Sequence, residues 1–118
     1  MTLEDLVEAL RRGVPEVHDV LLAHLAELPG GDEFVLMGLL RDRAVELFVL
    51  QQTSALDRLL TLVDRAMADG DDALADAVAS DFISATPPWD EALDGFVAAW
   101  PVSLRAQAAI ETARFNGI

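Results

Sequence analysis

Residues 69–94 read DGDDALADAVASDFISATPPWDEALD and contain eight carboxylates but no lysine or arginine. Clustered carboxylates have two well-known chemical uses, since they bind hard cations such as Ca²⁺ or work in pairs as general acid and base. They can also form a docking surface for a basic protein. The spacing of these acids, and the elements that carry them, discriminate among the three uses.

The most closely spaced acids do not have the pattern of a calcium loop. An EF-hand requires acids at alternate positions, a glycine at position six and a glutamate at position twelve. Here Gly70 lies between Asp69 and Asp71, where it is typical of a residue that ends a helix. Asp71 is then expected to cap the next helix, and Asp72 to stabilise its first turn through the helix dipole.

The remaining residues that could do chemistry form no catalytic or metal motif. His18 and His24 are six positions apart, about 240° around a helix, so they cannot ligate one metal from a single face. Paired carboxylates need a cleft and one acid with a raised pKa. Asp81 lies nearest to an apolar helix face, and a buried Asp81 would need a hydrogen-bond donor such as an arginine or a backbone N–H. We therefore predict no catalytic residue, no metal ligand and no cofactor.

Docking to a partner is the use that the acidic stretch favours. Helix caps account for Asp71 and Asp90, but the other acids have no interspersed bases of the kind usual on protein surfaces. Trp89 follows two prolines and would give the surface an aromatic anchor, unless it packs back onto the next helix. The predicted partner-binding residues are Asp69, Asp71, Asp72, Asp76, Asp81, Trp89, Asp90, Glu91 and Asp94.

Helical periodicity is strong along the whole chain. Thr2 and Asp5 form a capping-box pattern before an apolar stripe, and Ser54 with Asp57 repeats that pattern before a helix that ends at Gly70. A third helix, from Phe34 to about Gln52, is apolar on nearly all sides, which indicates the most enclosed helix. In the last helix an apolar face of small residues would permit close helix packing; it consists of Val102, Ala106, Ala109, Ile110 and Ala113.

These patterns predict an all-α fold, because no stretch shows the period-2 alternation of a strand. We expect six to seven short helices in antiparallel hairpins, arranged as a HEAT-like array or as a compact bundle. The 118 residues correspond to a single domain, 1–118.

Composition limits the classes of partner. The formal net charge of −13 argues against binding nucleic acid or an anionic membrane, since both attract lysine and arginine. No apolar run reaches the roughly 18 residues that a membrane span requires. The first residues carry acids where a signal peptide carries bases, and the chain has no cysteine, so we expect a cytoplasmic protein.

Residues 54–86 resemble small HEAT-like helical immunity proteins of bacterial polymorphic toxin systems. The resemblance lies in a striped helix, LDRLLTLVDRAMADGD, that leads into an alanine-rich helix, ALADAVASDFISA. It implies a non-catalytic protein that folds alone and occludes the active site of a cognate toxin. Many immunity proteins are acidic because their toxins are basic.

Three hypotheses follow. The first is an inhibitor that presents the acidic stretch to a basic partner, as a monomer or weak homodimer. The second is a small metal-dependent hydrolase whose carboxylates line a cleft. The third is a helical-repeat adaptor or dimerisation module that uses the last helix.

Overall fold

The described residues, 1–26, 33–83 and 94–115 of a computed structural model, are almost entirely helical, and no strand occurs among them. The side chains of residues 25, 26, 94, 112, 114 and 115 are not described. A 3₁₀ turn (Pro15–Val17) precedes the helix that begins at His18, and the helix Asp72–Ala77 continues directly into a π-helical segment, Val78–Ile83. The all-α prediction is confirmed. The helices are α1 (Leu3–Gly13), α2 (His18–Ala26), α3 (Glu33–Val49), α4 (Thr53–Asp69), α5 (Asp72–Ala77), α6 (Asp94–Ala98) and α7 (Val102–Phe115).

The helices form a bundle around α3 and α4. Helix α4 packs against α1, α3, α5 and α7, while α3 packs against α2, α4, α5 and the π-helical segment. The radius of gyration is 13.5 Å, which matches the value of about 13.5 Å expected for a compact chain of this length. Compactness favours the bundle over an extended array.

Helix α1 begins as its sequence predicts. The Thr2 hydroxyl accepts a hydrogen bond from the Asp5 N–H, and the Asp5 carboxylate accepts one from the Thr2 N–H, which completes the capping box. The bond from the Thr2 backbone is the main reason that the pKa of Asp5 is lowered. Leu6 and Leu10 on the inner face of this helix are fully buried.

Helix α3 is the enclosed helix that its composition predicts, but it ends earlier. Its buried residues are Leu36, Met37, Leu40, Ala44 and Leu47. The helix stops at Val49 rather than near Gln52, because Gln51 adopts a left-handed conformation with φ of 59°. The Gln52 N–H then bonds the Leu47 carbonyl at 2.9 Å and the Gln51 N–H bonds the Phe48 carbonyl at 3.1 Å, a Schellman motif.

The capping box predicted at Ser54 and Asp57 is wrong. Helix α4 begins at Thr53, its N-cap residue is Gln52, and no side chain caps it. The turn after α3 brings the chain into helical conformation early, so Ser54 already lies inside the helix. The apolar stripe of α4 is nevertheless inward, with Ala55, Leu56, Leu59, Leu60, Val63 and Ala66 buried.

An aromatic cluster joins α3, the π-helical segment and α6. Phe96 lies 5.5 Å from Phe48 and 5.5 Å from Trp100, and Trp100 lies 5.8 Å from Phe82, all between ring centroids. Edge-to-face and tilted pairs of this kind add to the gain from burying apolar area. Because Trp100 is only 2% exposed, this cluster fixes the chain immediately before α7.

Helix α7 presents its alanine-rich face outward, not to a neighbouring helix. Among the described residues, Val102 is 72% exposed and Ile110 is 48% exposed, whereas Leu104 is fully buried. The face predicted for close packing therefore does not pack against the bundle. The helical periodicity predicts which residues of α7 share a face, but it does not determine which face packs against the bundle.

Candidate docking surface

The acidic stretch begins in a tight turn between α4 and α5. Asp69 ends α4, and the Gly70 N–H bonds the Ala66 carbonyl at 3.1 Å. A Cβ on Gly70 would lie 2.2 Å from that same carbonyl oxygen, so only glycine fits. Met1 holds the turn from the other side, since its amino group donates to the Asp69 carbonyl at 2.8 Å and its own carbonyl accepts from the Asp71 N–H at 2.9 Å.

Asp71 caps α5 as predicted. One of its carboxylate oxygens accepts a hydrogen bond from the Leu74 N–H at 2.9 Å. This bond satisfies an N–H of the first helical turn and leaves the residue exposed. Asp71 therefore combines a structural bond with a surface charge.

Asp69, Asp72 and Asp76 are all exposed. Asp72 and Asp76 are four positions apart, so they lie on the same outer face of α5. No hydrogen bond or ion pair of the described residues occupies the carboxylates of these three residues. They are therefore available to solvent or to a partner.

Asp81 lies at the surface because of the π-helical segment. In a regular α-helix that begins with Leu74 inward, position 81 would fall two turns later on the same inner face. The wider turn advances the inner face by one residue, so Phe82 and Ile83 are buried and Asp81 is half-exposed. The hydroxyl of the neighbouring Ser80 donates to its carboxylate at 3.0 Å, in place of the arginine or backbone donor expected for a buried acid.

The second half of the predicted surface is only partly described. Trp89, Asp90 and Glu91 lie outside the described residues, as do the two prolines before Trp89. Asp94 begins α6, although its side chain is not described. The next residue, Gly95, lies against Phe48, since a Cβ there would be 3.3 Å from Phe48 Cζ. Hence α6 begins near the end of α3, and the described acids begin near the end of α4.

We call the described acids of this stretch the acidic cluster; they are Asp69, Asp71, Asp72, Asp76 and Asp81. None of them forms an ion pair within the described part of the chain. The six ion pairs found there involve only acids outside the cluster, namely Glu8, Glu16, Asp19, Asp42 and Glu46.

Two arginines concentrate this pairing at the connection between α1 and α2. Arg43 donates to the Asp19 carboxylate at 2.5 and 2.9 Å and to the Glu16 carbonyl at 2.6 Å. Arg58 donates to the Glu16 carboxylate at 2.8 and 3.2 Å and to the Gly13 carbonyl at 2.9 Å. We call this set, Gly13, Glu16, Asp19, Arg43 and Arg58, the arginine clamp.

The clamp changes the acidity of its carboxylates. Hydrogen bonding to Arg43 lowers the pKa of Asp19, and hydrogen bonding to Arg58 lowers the pKa of Glu16. No local sequence pattern marks these arginines as a clamp, because their partners in the connection between α1 and α2 are 24 to 45 positions away.

The histidines form no site together. His18 is exposed, with Nε2 3.1 Å from the Arg11 carbonyl oxygen, whereas His24 is buried at 5% exposure. Among the described residues, no three acidic or histidine side chains are grouped so that they could hold a metal ion. Helices of the length and apolar character needed to cross a membrane are also absent from those residues.

Comparison with known proteins identifies no relative. No family model, curated protein sequence or solved structure matches the chain.

Proposed function

We propose that this protein is a non-catalytic inhibitor that binds a basic protein through its acidic cluster. One observation carries the proposal: the described ion pairs join five of the chain's eight arginines to other acids, and none of these pairs involves the five carboxylates of the cluster. A partner rich in arginine would supply bidentate hydrogen bonds to these carboxylates. In the form that the sequence resemblance suggests, the partner is a cognate bacterial toxin whose active site is occluded in the cytoplasm.

The net charge of −13 bears on how such a partner is found. A strongly negative field accelerates the approach of a basic protein, while contacts buried on docking determine how slowly the complex dissociates. The same field repels nucleic acid and anionic lipid, since both carry negative charge. A basic protein is thus the class of partner that the electrostatics favour.

The experiment compares two charge reversals that change the net charge equally. Asp76→Lys places a cation in the acidic cluster, whereas Asp57→Lys places one on an exposed position of α4 outside it. Asp71 is left intact because it caps α5. The wild-type protein is used to capture its partner from cells of its own source, and association with the purified partner is then measured over a range of salt concentrations.

We expect the association rate to fall steeply with salt, and Asp76→Lys to reduce it several-fold more than Asp57→Lys. Circular dichroism should show both variants folded. Equal effects of the two reversals, or a rate that does not respond to salt, would remove the basis of the proposal. Tight binding of Ca²⁺, Mg²⁺ or Mn²⁺ in calorimetry would instead favour the metal-dependent hydrolase.

The outward stripe of α7 favours a second candidate, the adaptor or dimerisation module. A helix of 14 residues is about 21 Å long and offers a face of roughly 200 Å². That area is well below the roughly 800 Å² per partner of a stable interface, so this candidate ranks second. Light scattering of the wild type and Ile110→Glu tests it, since a dimer held by this stripe would dissociate in the variant.

A further inference from the structure

Helix α7 has no N-terminal cap of its own. The residue before it is Pro101, whose side chain cannot accept a hydrogen bond, and its first turn contains no acid. The cap comes from α4 instead, where a carboxylate oxygen of Asp64 accepts a hydrogen bond from the Leu104 N–H at 3.1 Å. A residue 40 positions away in sequence thus satisfies an N–H of the first turn of α7.

The apolar contacts that hold α7 are few among its described side chains. Leu104 is the one large side chain of this set that is fully buried, and Ala108 is partly buried against the core. By comparison, α4 buries six residues. Elements with few buried contacts open at a lower free energy than the core of a protein.

The chain before α7 is held much more firmly. Trp100 is enclosed by Phe82 and Phe96 in the aromatic cluster, and the Trp100 N–H bonds the Val97 carbonyl at 3.0 Å. Pro101 separates this anchored residue from α7. The boundary between a firmly packed segment and a lightly packed one therefore falls at Pro101.

We propose that α7 is a latched strap: it opens from α4 and the π-helical segment as one unit, pivoting at Pro101, and Asp64 is its latch. The rest of the bundle stays folded during this opening. Breaking the cap and withdrawing Leu104 are the two steps that release the helix. This inference does not depend on the proposed inhibitor function.

Hydrogen exchange followed by mass spectrometry tests the proposal on the full chain. In the wild type, amides of α7 should exchange at least tenfold faster than those of α3 and α4. Asp64→Ala should accelerate exchange in α7 by roughly fivefold, the usual effect of losing a cap, while exchange in α3 and α4 changes little. The matched control is Asp57→Ala, an exposed acid on α4 without a described side-chain hydrogen bond, which should leave α7 unchanged.

Two results would overturn the proposal. If α7 and α4 exchange at the same rate in the wild type, α7 belongs to the global folding unit and is no strap. If Asp64→Ala leaves α7 unchanged, or accelerates all helices equally, Asp64 is not its latch. Should Asp64→Ala fail to fold, Asp64→Asn keeps an acceptor oxygen and should show a smaller acceleration confined to α7.

Discussion

The two ends of α4 differ in whether their charged side chains are paired. Near its start, Arg58 and the adjacent Arg43 of α3 bind carboxylates and backbone carbonyls of the connection between α1 and α2. Asp69, at the other end, is 11 residues from Arg58, or roughly 16 Å along the helix axis. There the acidic cluster begins, and no described arginine is paired with it.

The difference shows that, among the described residues, ion pairs have a structural role at the first end only. In the arginine clamp, each guanidinium satisfies a backbone carbonyl as well as a carboxylate, so its removal leaves polar groups without partners. In the acidic cluster, the bond from Asp71 to the Leu74 N–H is the one described link between a carboxylate and the backbone. Substitutions should therefore affect stability strongly at the first end and weakly at the second.

The largest effect is expected for Arg43→Met. This variant loses the bonds to Asp19, to Glu46 and to the Glu16 carbonyl and should reduce the free energy of unfolding by about 2 kcal/mol. Arg65→Met is the control, because Arg65 is exposed and belongs to none of the described ion pairs; it should change stability by less than about 0.5 kcal/mol. Urea denaturation measures both, and similar losses would contradict a special role for the clamp.

The stabilisation from the clamp should also disappear in acid. Arg43 lowers the pKa of Asp19, so the contribution is complete above the ordinary aspartate value of about 3.9 and is lost as the pH falls through the lowered pKa. The difference in unfolding free energy between the wild type and Arg43→Met should therefore shrink from about pH 6 to about pH 2. A difference that stays constant over this range would show that packing, not charge, accounts for it.

At the other end, Asp71→Ala should cost about 1 kcal/mol, the usual value of an N-terminal cap. Asp71→Asn keeps an acceptor oxygen and should cost much less. Thermal and urea unfolding of the two variants separate the hydrogen bond from the charge. Equal losses would mean that the negative charge itself stabilises this turn.

The smallest effect on the free energy of unfolding is expected for Asp76→Asn, which should stabilise the protein rather than destabilise it. Removing one of the like charges at positions 72 and 76 relieves repulsion between neighbouring turns and should stabilise the protein by about 0.2–0.5 kcal/mol. Asp19→Asn is the matched substitution in the arginine clamp, and it should destabilise the protein. If both variants destabilise, the contrast between the two ends of α4 is weaker than the ion pairs suggest.

Features that depend on neighbouring residues in sequence could be predicted. The capping box of Thr2 and Asp5, the cap at Asp71 and the inward stripe of α4 are all set by side chains within one or two turns. The capping box predicted at Ser54 does not form, because the left-handed Gln51 ends α3 early and α4 then begins before Ser54. A cap pattern therefore predicts a helix start only where the preceding turn permits it.

Features that depend on tertiary contacts could not be predicted. The clamp and the cap that Asp64 provides to α7 join residues 24 to 45 positions apart. For α7, alanine on the outer face and Leu104 on the inner face are both apolar, so hydrophobicity alone did not identify the covered side. The role of the acidic stretch in binding a partner stays a prediction.

The π-helical segment has a consequence for how the charge of Asp81 is displayed. A π-turn holds one residue more than the α-helical turn it replaces, so its presence is equivalent to a single-residue insertion absorbed without breaking the helix. Straightening this turn into an α-helical turn without removing a residue would carry the carboxylate of Asp81 toward the space now filled by Phe82, whereas deleting Ala79 at the same time would leave Asp81 on the outside. Chain length within this one turn, rather than the choice of side chain, thus keeps an acid on the outside of an otherwise apolar helix.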